Sequence, residues 1–122
     1  MKKTFIILTI SLNILTCTQS CKKDKIENPN TKTIYATIKS NETYQYNLGY
    51  FGVEEGASIS RQPIHFLESK IERNSSEIIY TYIPTLNYVG KEEIELTSIR
   101  GSDGASIGNN IIITSIKLTI TQ

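Results

Sequence analysis

From Thr33 onward, apolar positions alternate along this chain rather than cluster. Ile34, Ala36 and Ile38 alternate with Tyr35, Thr37 and Lys39. Tyr44, Tyr46 and Leu48 alternate with Thr43, Gln45 and Asn47, and Ile94 and Leu96 with Glu93, Glu95 and Thr97. Ile112, Thr114, Ile116, Leu118 and Ile120 keep one parity over nine residues. A period of two puts every second side chain on the same face of a strand. The residue types, rich in Ile, Thr, Tyr and Val, suit a pleated, half-buried surface. No window gives an equally good helical stripe. Ser69 to Glu77 carries helix-compatible charges, but Asn74-Ser75-Ser76 predicts a turn there.

Turn signals punctuate the alternation at Ser40-Asn41, Gly49 to Gly56, Asn74-Ser75-Ser76, Pro84 to Gly90, and Gly101 to Asn110. They leave six or seven short strands in about 90 residues, with no helices between them. That spacing predicts an all-β chain: a single immunoglobulin-like antiparallel β-sandwich of about seven strands over residues 33–122. The length supports one hydrophobic core and not two.

The first 32 residues have a different texture. Lys2 and Lys3 precede an apolar run from Phe5 to Leu15, about eleven residues, interrupted by Thr9, Ser11 and Asn13. A spanning helix needs roughly 20 apolar residues. The run therefore fits the apolar region of an export signal, which excludes residues 1–20 from the fold. The signal ends at Thr18-Gln19-Ser20-Cys21, a relaxed lipobox that makes Cys21 the expected lipidation site. Ile14-Leu15-Thr16-Cys17 is the competing site, with a better aliphatic position and a poorer last one. The lysine-rich run directly after Cys21 favours Cys21. A disulfide between cysteines four apart and a metal pair are the other readings; zinc needs more ligands than these two cysteines and the only histidine, His65, supply. Residues 21–32 then read as a lipidated cysteine and a polar tether that cannot bury enough surface to offset its ordering entropy.

Charge narrows the partners. The whole chain has 13 Lys and Arg against 12 Asp and Glu. Without Lys2 and Lys3 the mature chain has 11 against 12, formally −1, which leaves no basic stripe for nucleic acid. The expected partners are a membrane, through the lipid, and a protein or glycan at the cell surface.

Tyr80-Thr81-Tyr82-Ile83-Pro84 followed by Tyr88-Val89-Gly90-Lys91-Glu92 resembles the Y-x-Y-x-P-x-x-x-[YF]-x-G-x-D signature of bacterial cadherin-like and immunoglobulin-like repeats. The resemblance covers about residues 76–121. With the cysteine-ended signal it extends to small envelope lipoproteins of Bacteroidetes-type bacteria. It implies a lipid-anchored, non-catalytic binding or adhesion module, in the outer membrane on its surface or periplasmic face. The alternatives are an accessory subunit of a surface assembly (glycan capture or fimbria-like) and a simple spacer. Physically the motif is structural. Tyr80 and Tyr82 share one face of a strand and fill the core while their hydroxyls seek partners. Pro84 ends that strand at a sheet edge. Gly90 takes a positive φ where the chain turns back. Tyr88 bonds backbone across the corner. The chain has Glu92 where the family has Asp, and its acidic residues are too few and scattered for calcium. No cofactor or metal is expected.

Candidate chemistry is sparse. His65, in Gln62-Pro63-Ile64-His65-Phe66-Leu67, has no nucleophile signature beside it and reads as a strand-face or edge histidine. Glu54-Glu55 and Glu92-Glu93 are adjacent carboxylates; strand neighbours point to opposite faces, so both pairs read as solvated. Gly101 to Gly108 is glycine-rich but lacks the Lys-Ser/Thr ending of a phosphate loop. It reads as a long hairpin connection or a recognition loop. Two loops, 49–62 and 100–110, thus emerge as possible recognition surfaces, with Tyr50, Phe51, Arg100 and Asp103 as their candidate contacts.

Overall fold

The computed structural model describes residues 30–101, 105 and 108–122; Cys17, Cys21 and Asp103 lie outside the described residues. Seven strands run in order: β1 (Thr31–Lys39), β2 (Tyr44–Tyr50), β3 (Gly56–Arg61), β4 (Phe66–Asn74), β5 (Glu77–Pro84), β6 (Gly90–Arg100) and β7 (Asn110–Thr121). They form two sheets, β1-β7-β6-β3 and β2-β5-β4. The molecule is a β-sandwich of immunoglobulin-like strand order.

One pair departs from the antiparallel expectation. β1 lies parallel to β7, from Thr31 opposite Ile113 to Lys39 opposite Thr121. Parallel partners cannot share a hairpin, and here the five intervening strands serve as the crossover. Alternation predicts faces but not neighbours, so the sequence could not show this pair. β1 also starts at Thr31, two residues before the change of texture at Thr33, and the Asn30 carbonyl accepts from the Ile113 amide at 3.0 Å.

The inward parities meet as predicted from their alternation. Ile38 of β1, Ile94 and Leu96 of β6, and Ile116, Leu118 and Ile120 of β7 face Tyr80 and Tyr82 of β5 across the sandwich. Tyr44, Tyr46 and Leu48 of β2 pack against this cluster. Each such aliphatic side chain contributes about 1.5–3 kcal/mol of transfer free energy on full burial. On the outward face of β5, the central strand of the smaller sheet, Thr81 is buried and Ile79 and Ile83 are half-buried.

β3 and β4 carry weak alternation. β3 falls inside the stretch expected to be the loop 49–62, so that loop shrinks to residues 51–55. In β4 the charges that resembled a helix instead line one face at period two. Lys70 Nζ lies 3.1 Å from both Glu68 and Glu72, and their hydrogen bonds raise its pKa.

Pro84 is also repositioned. It ends β5, which is central rather than an edge. β2 stops pairing at Tyr44 opposite Tyr82, while β4 continues to Phe66 opposite Pro84. At Pro84 the sheet is locally one-sided, so a residue without an amide proton breaks no ladder bond toward β2.

Candidate functional site

One end of the sandwich gathers the connections β2–β3 (51–55) and β4–β5 (75–76) with the end of β6 at Arg100 and the start of β7 at Asn110. β2 reaches this end through a bulge between Asn47 and Gly49. The Asn47 carboxamide accepts from the Gly49 amide at 2.7 Å, and Gly49 sits at φ +95°, a conformation that favours glycine. Phe51 then turns inward, only 4 % exposed, and donates its amide to the Ser76 carbonyl at 2.7 Å.

Two arginines from different sheets fix this loop. Arg100, ending β6, donates to the carbonyls of Leu48 and Tyr50, both at 2.7 Å, with its guanidinium 3.8 Å from the Phe51 ring centroid. Arg73, near the end of β4, donates to the carbonyls of Phe51 at 3.4 Å, Gly52 at 3.3 Å and Glu55. The Glu55 carboxylate accepts from the amides of Gly52 and Gly101, both at 2.7 Å, so it closes this loop onto the next. A planar, permanently charged fork suits such multiple carbonyl contacts.

The sequence candidates therefore divide. Tyr50 is 72 % exposed, and its neighbour Val53, which no sequence signal marked, is 99 % exposed. Phe51 and Arg100 are not presented to solvent partners: the ring is buried and the guanidinium is engaged with it and with the backbone. Glu55 lies in a loop with its carboxylate bonded to amides, not on a solvated strand face. Arg73 was invisible because nothing local distinguishes it from the other charges of β4.

The opposite end holds a second cluster, built on Glu92. This side chain was expected to be solvated beside Glu93. Glu93 is, and pairs with Arg61 at 3.1 Å, but Glu92 is only 5 % exposed. Its carboxylate accepts from the amides of Ile64 at 2.7 Å and His65 at 3.0 Å, and lies 2.6 Å from His65 Nδ1. A carboxylate only accepts, so Nδ1 carries the proton. Burial works against the charge on Glu92, but the amide donors of Ile64 and His65 and the His65 ring outweigh it, and its pKa is lowered.

The motif tyrosines surround this carboxylate. The His65 ring stacks on Tyr88 at 4.2 Å, and the Tyr88 hydroxyl donates to the Lys91 carbonyl at 3.1 Å. Burial raises the Tyr88 pKa and the Glu92 charge adds to it. Tyr82 donates to the His65 carbonyl at 2.8 Å, and the Tyr80 hydroxyl bonds that of Ser69 at 2.9 Å. Burial pushes Tyr80 up to about 12 and raises Tyr82 as well. Gly90 has φ +159°, and its constraint is steric: a Cβ there would lie 2.5 Å from the Tyr88 hydroxyl. His65 and Glu92 thus fasten the β3–β4 connection to β6, and among the described residues no serine hydroxyl is bonded to either side chain. Among the described residues no group of three His, Cys, Asp or Glu side chains is placed to hold a metal ion.

No family model and no curated protein matches this chain. Solved structures with similar architecture include an endo-fucoidan hydrolase, MfFcnA4 of glycoside hydrolase family 107, at TM-score 0.48 and 10 % identity over 75 % of this chain and 13 % of that one. The cysteine protease inhibitor EhICP2 from Entamoeba histolytica gives 0.41 and 15 % over 74 % and 98 %. A 2,6-sialyltransferase from Photobacterium gives 0.41 and 14 % over 75 % and 18 %. The chain spans a small part of both enzymes, and likeness at this level is not a sign of enzymatic function.

Proposed function

We propose that this chain is a non-catalytic binding module of a bacterial envelope, held to its membrane by a lipid on Cys21. The observation that carries the binding reading is the loop tip: Arg73 and Arg100 hold residues 48–55 in one shape, with Tyr50 and Val53 left outside. Ordering a loop before binding removes part of the entropy cost of association. The anchor reading is supported by the sequence alone, through the short apolar run and the cysteine at its end.

Chain direction adds a constraint. Asn30, where the tether joins the domain, donates to the Asn110 side chain at 2.8 Å, and Asn110 pairs with Arg100. Tether and loop tip share one end. Nine peptide steps separate Cys21 from Asn30, a reach of at most about 30 Å. A lipid at Cys21 keeps the tip close to the bilayer. This favours a membrane-associated partner, and so the accessory-subunit reading over adhesion to a distant surface.

The test is a photo-crosslinking residue at Val53 in living cells, with the same residue at Glu72 on the outside of β4 as the control. One discrete adduct from position 53, absent from position 72 and reduced by Tyr50→Ala, is expected. Identical labelling at the two positions would sink the tip as a binding surface. Release of the protein from membranes unchanged by Cys21→Ser would remove the anchor.

A further inference from the structure

The outer face of the four-stranded sheet carries a surface that neither end of the sandwich accounts for. Tyr35 of β1 lies opposite Lys117 of β7, which lies opposite Glu93 of β6. The adjacent row is Thr37, Thr119 and Lys91. Their neighbours Ala36, Glu92 and Leu118 point inward, so these six point out. The twist of the sheet makes a shallow groove of about 500 Å³ along them. Tyr35 is 75 % exposed at its rim.

The charges in this groove are unevenly matched. Arg61 takes Glu93. Among the described residues, neither Lys91 nor Lys117 has a carboxylate within ion-pair distance. On the outer face of the smaller sheet the reverse holds, since Lys70 sits between two glutamates. Lys91 and Lys117 occupy diagonal positions on neighbouring strands, about 7–8 Å apart with their Cβ atoms somewhat closer. The groove therefore offers two ammonium groups outside ion-pair distance of any described carboxylate, the Glu93 carboxylate already paired with Arg61, two threonine hydroxyls and one exposed aromatic face.

We infer that this groove binds an acidic polysaccharide, with Lys91 and Lys117 meeting carboxylate or sulfate groups repeated along the sugar chain and Tyr35 packing against a sugar ring. A protein partner fits less well, because stable protein interfaces centre on a desolvated apolar or aromatic core, which this hydroxyl-lined groove lacks. Nucleic acid fits less well too, since two lysines on a nearly neutral chain make no phosphate-tracking stripe. Charge-assisted hydrogen bonds supply the attraction, and an open groove leaves room for a polymer to continue past both ends.

The experiment uses the full-length chain in detergent, with polygalacturonate, dextran sulfate, neutral dextran and single-stranded DNA as probes. Binding to at least one acidic glycan, weakening with salt and absent for neutral dextran, is expected. Lys91→Gln with Lys117→Gln should raise Kd at least about tenfold, and Tyr35→Ala about three- to tenfold. These exposed substitutions should leave the melting temperature within a few degrees, which separates lost binding from lost folding. Replacing Lys22, Lys23 and Lys25 with Gln should change little. The proposal is overturned if no acidic glycan binds, if neutral dextran or DNA binds equally well, or if Tyr35→Ala has no effect. It is also overturned if the tether lysines, rather than Lys91 and Lys117, carry the affinity.

Discussion

The two ends of this sandwich solve the same problem with opposite chemistry. At the loop tip, backbone carbonyls are collected by two guanidiniums, Arg73 and Arg100. At the other end, backbone amides are collected by one carboxylate, Glu92. The guanidiniums hold their charge at any pH a folded protein meets, while a carboxylate does not. The guanidinium contacts of the tip should therefore persist in acid, and acid should act first where a carboxylate collects amides, at the Glu92 corner and at the Glu55 closure of the tip.

Removing the carboxylate is the largest way to break the comparison. Glu92→Ala removes a buried carboxylate from two backbone amides and from the half-exposed His65 ring, and should cost about 3 kcal/mol. For a domain of this size that lowers the melting temperature by roughly 12–24 °C. Calorimetry checks it, and a drop under a few degrees would mean that water replaces the carboxylate without penalty.

Arg100→Ala comes next, at about 2 kcal/mol, from two charge-assisted bonds and the stacking on Phe51. Its damage should stay local: faster amide exchange at residues 49–52, with Ile64 and His65 unchanged. Arg100→Lys should not restore protection, since one ammonium cannot reproduce the fork.

Acid titration sharpens the difference without mutation. The folded-state pKa of Glu92 is lowered from 4.5. Its stabilisation is therefore complete above about pH 4.5 and fades as pH falls through the lower folded value. Denaturant midpoints measured down through that window should decline, and Glu92→Gln should flatten this part of the decline. Exchange at Phe51, whose amide is bonded to the Ser76 carbonyl, should hold while exchange at Ile64 and His65 rises.

The smallest effect concerns the turn beside the carboxylate. Gly90→Ala should cost about 1 kcal/mol, because its Cβ meets the Tyr88 hydroxyl. Combined with Tyr88→Phe, which removes the oxygen it strikes, the double variant should lose less than the sum of the two single losses. Strict additivity in denaturant melts would place the strain elsewhere.

The sandwich was legible where side-chain period alone decides burial. β1, β2, β6 and β7 announce themselves because Ile, Leu and Tyr recur at every second position facing one core. β3 and β4 do not, since they are short on apolar residues and gain their place from β6 and β5. The candidate contacts were legible only in part. Tyr50 is outside as its loop position suggested, while Phe51, one residue on, is inside. That reversal follows from the Arg100 guanidinium, 49 positions away in the chain, covering the ring.

The sequence by itself determined the all-β class, the strand faces and the tyrosine-rich core, because these depend on local alternation and turn chemistry. Tertiary structure decided which charges are spent and which are free. Glu92 and Glu93 are adjacent in sequence and alike in chemistry, yet one is buried under three donor groups and the other lies on the surface beside Arg61. Arg100 and Lys117 are both basic residues near the C-terminus, yet one clamps a loop and the other stands over an open groove. The role of a charge depends on the partner it meets, and in a sandwich that partner comes from a strand distant in sequence.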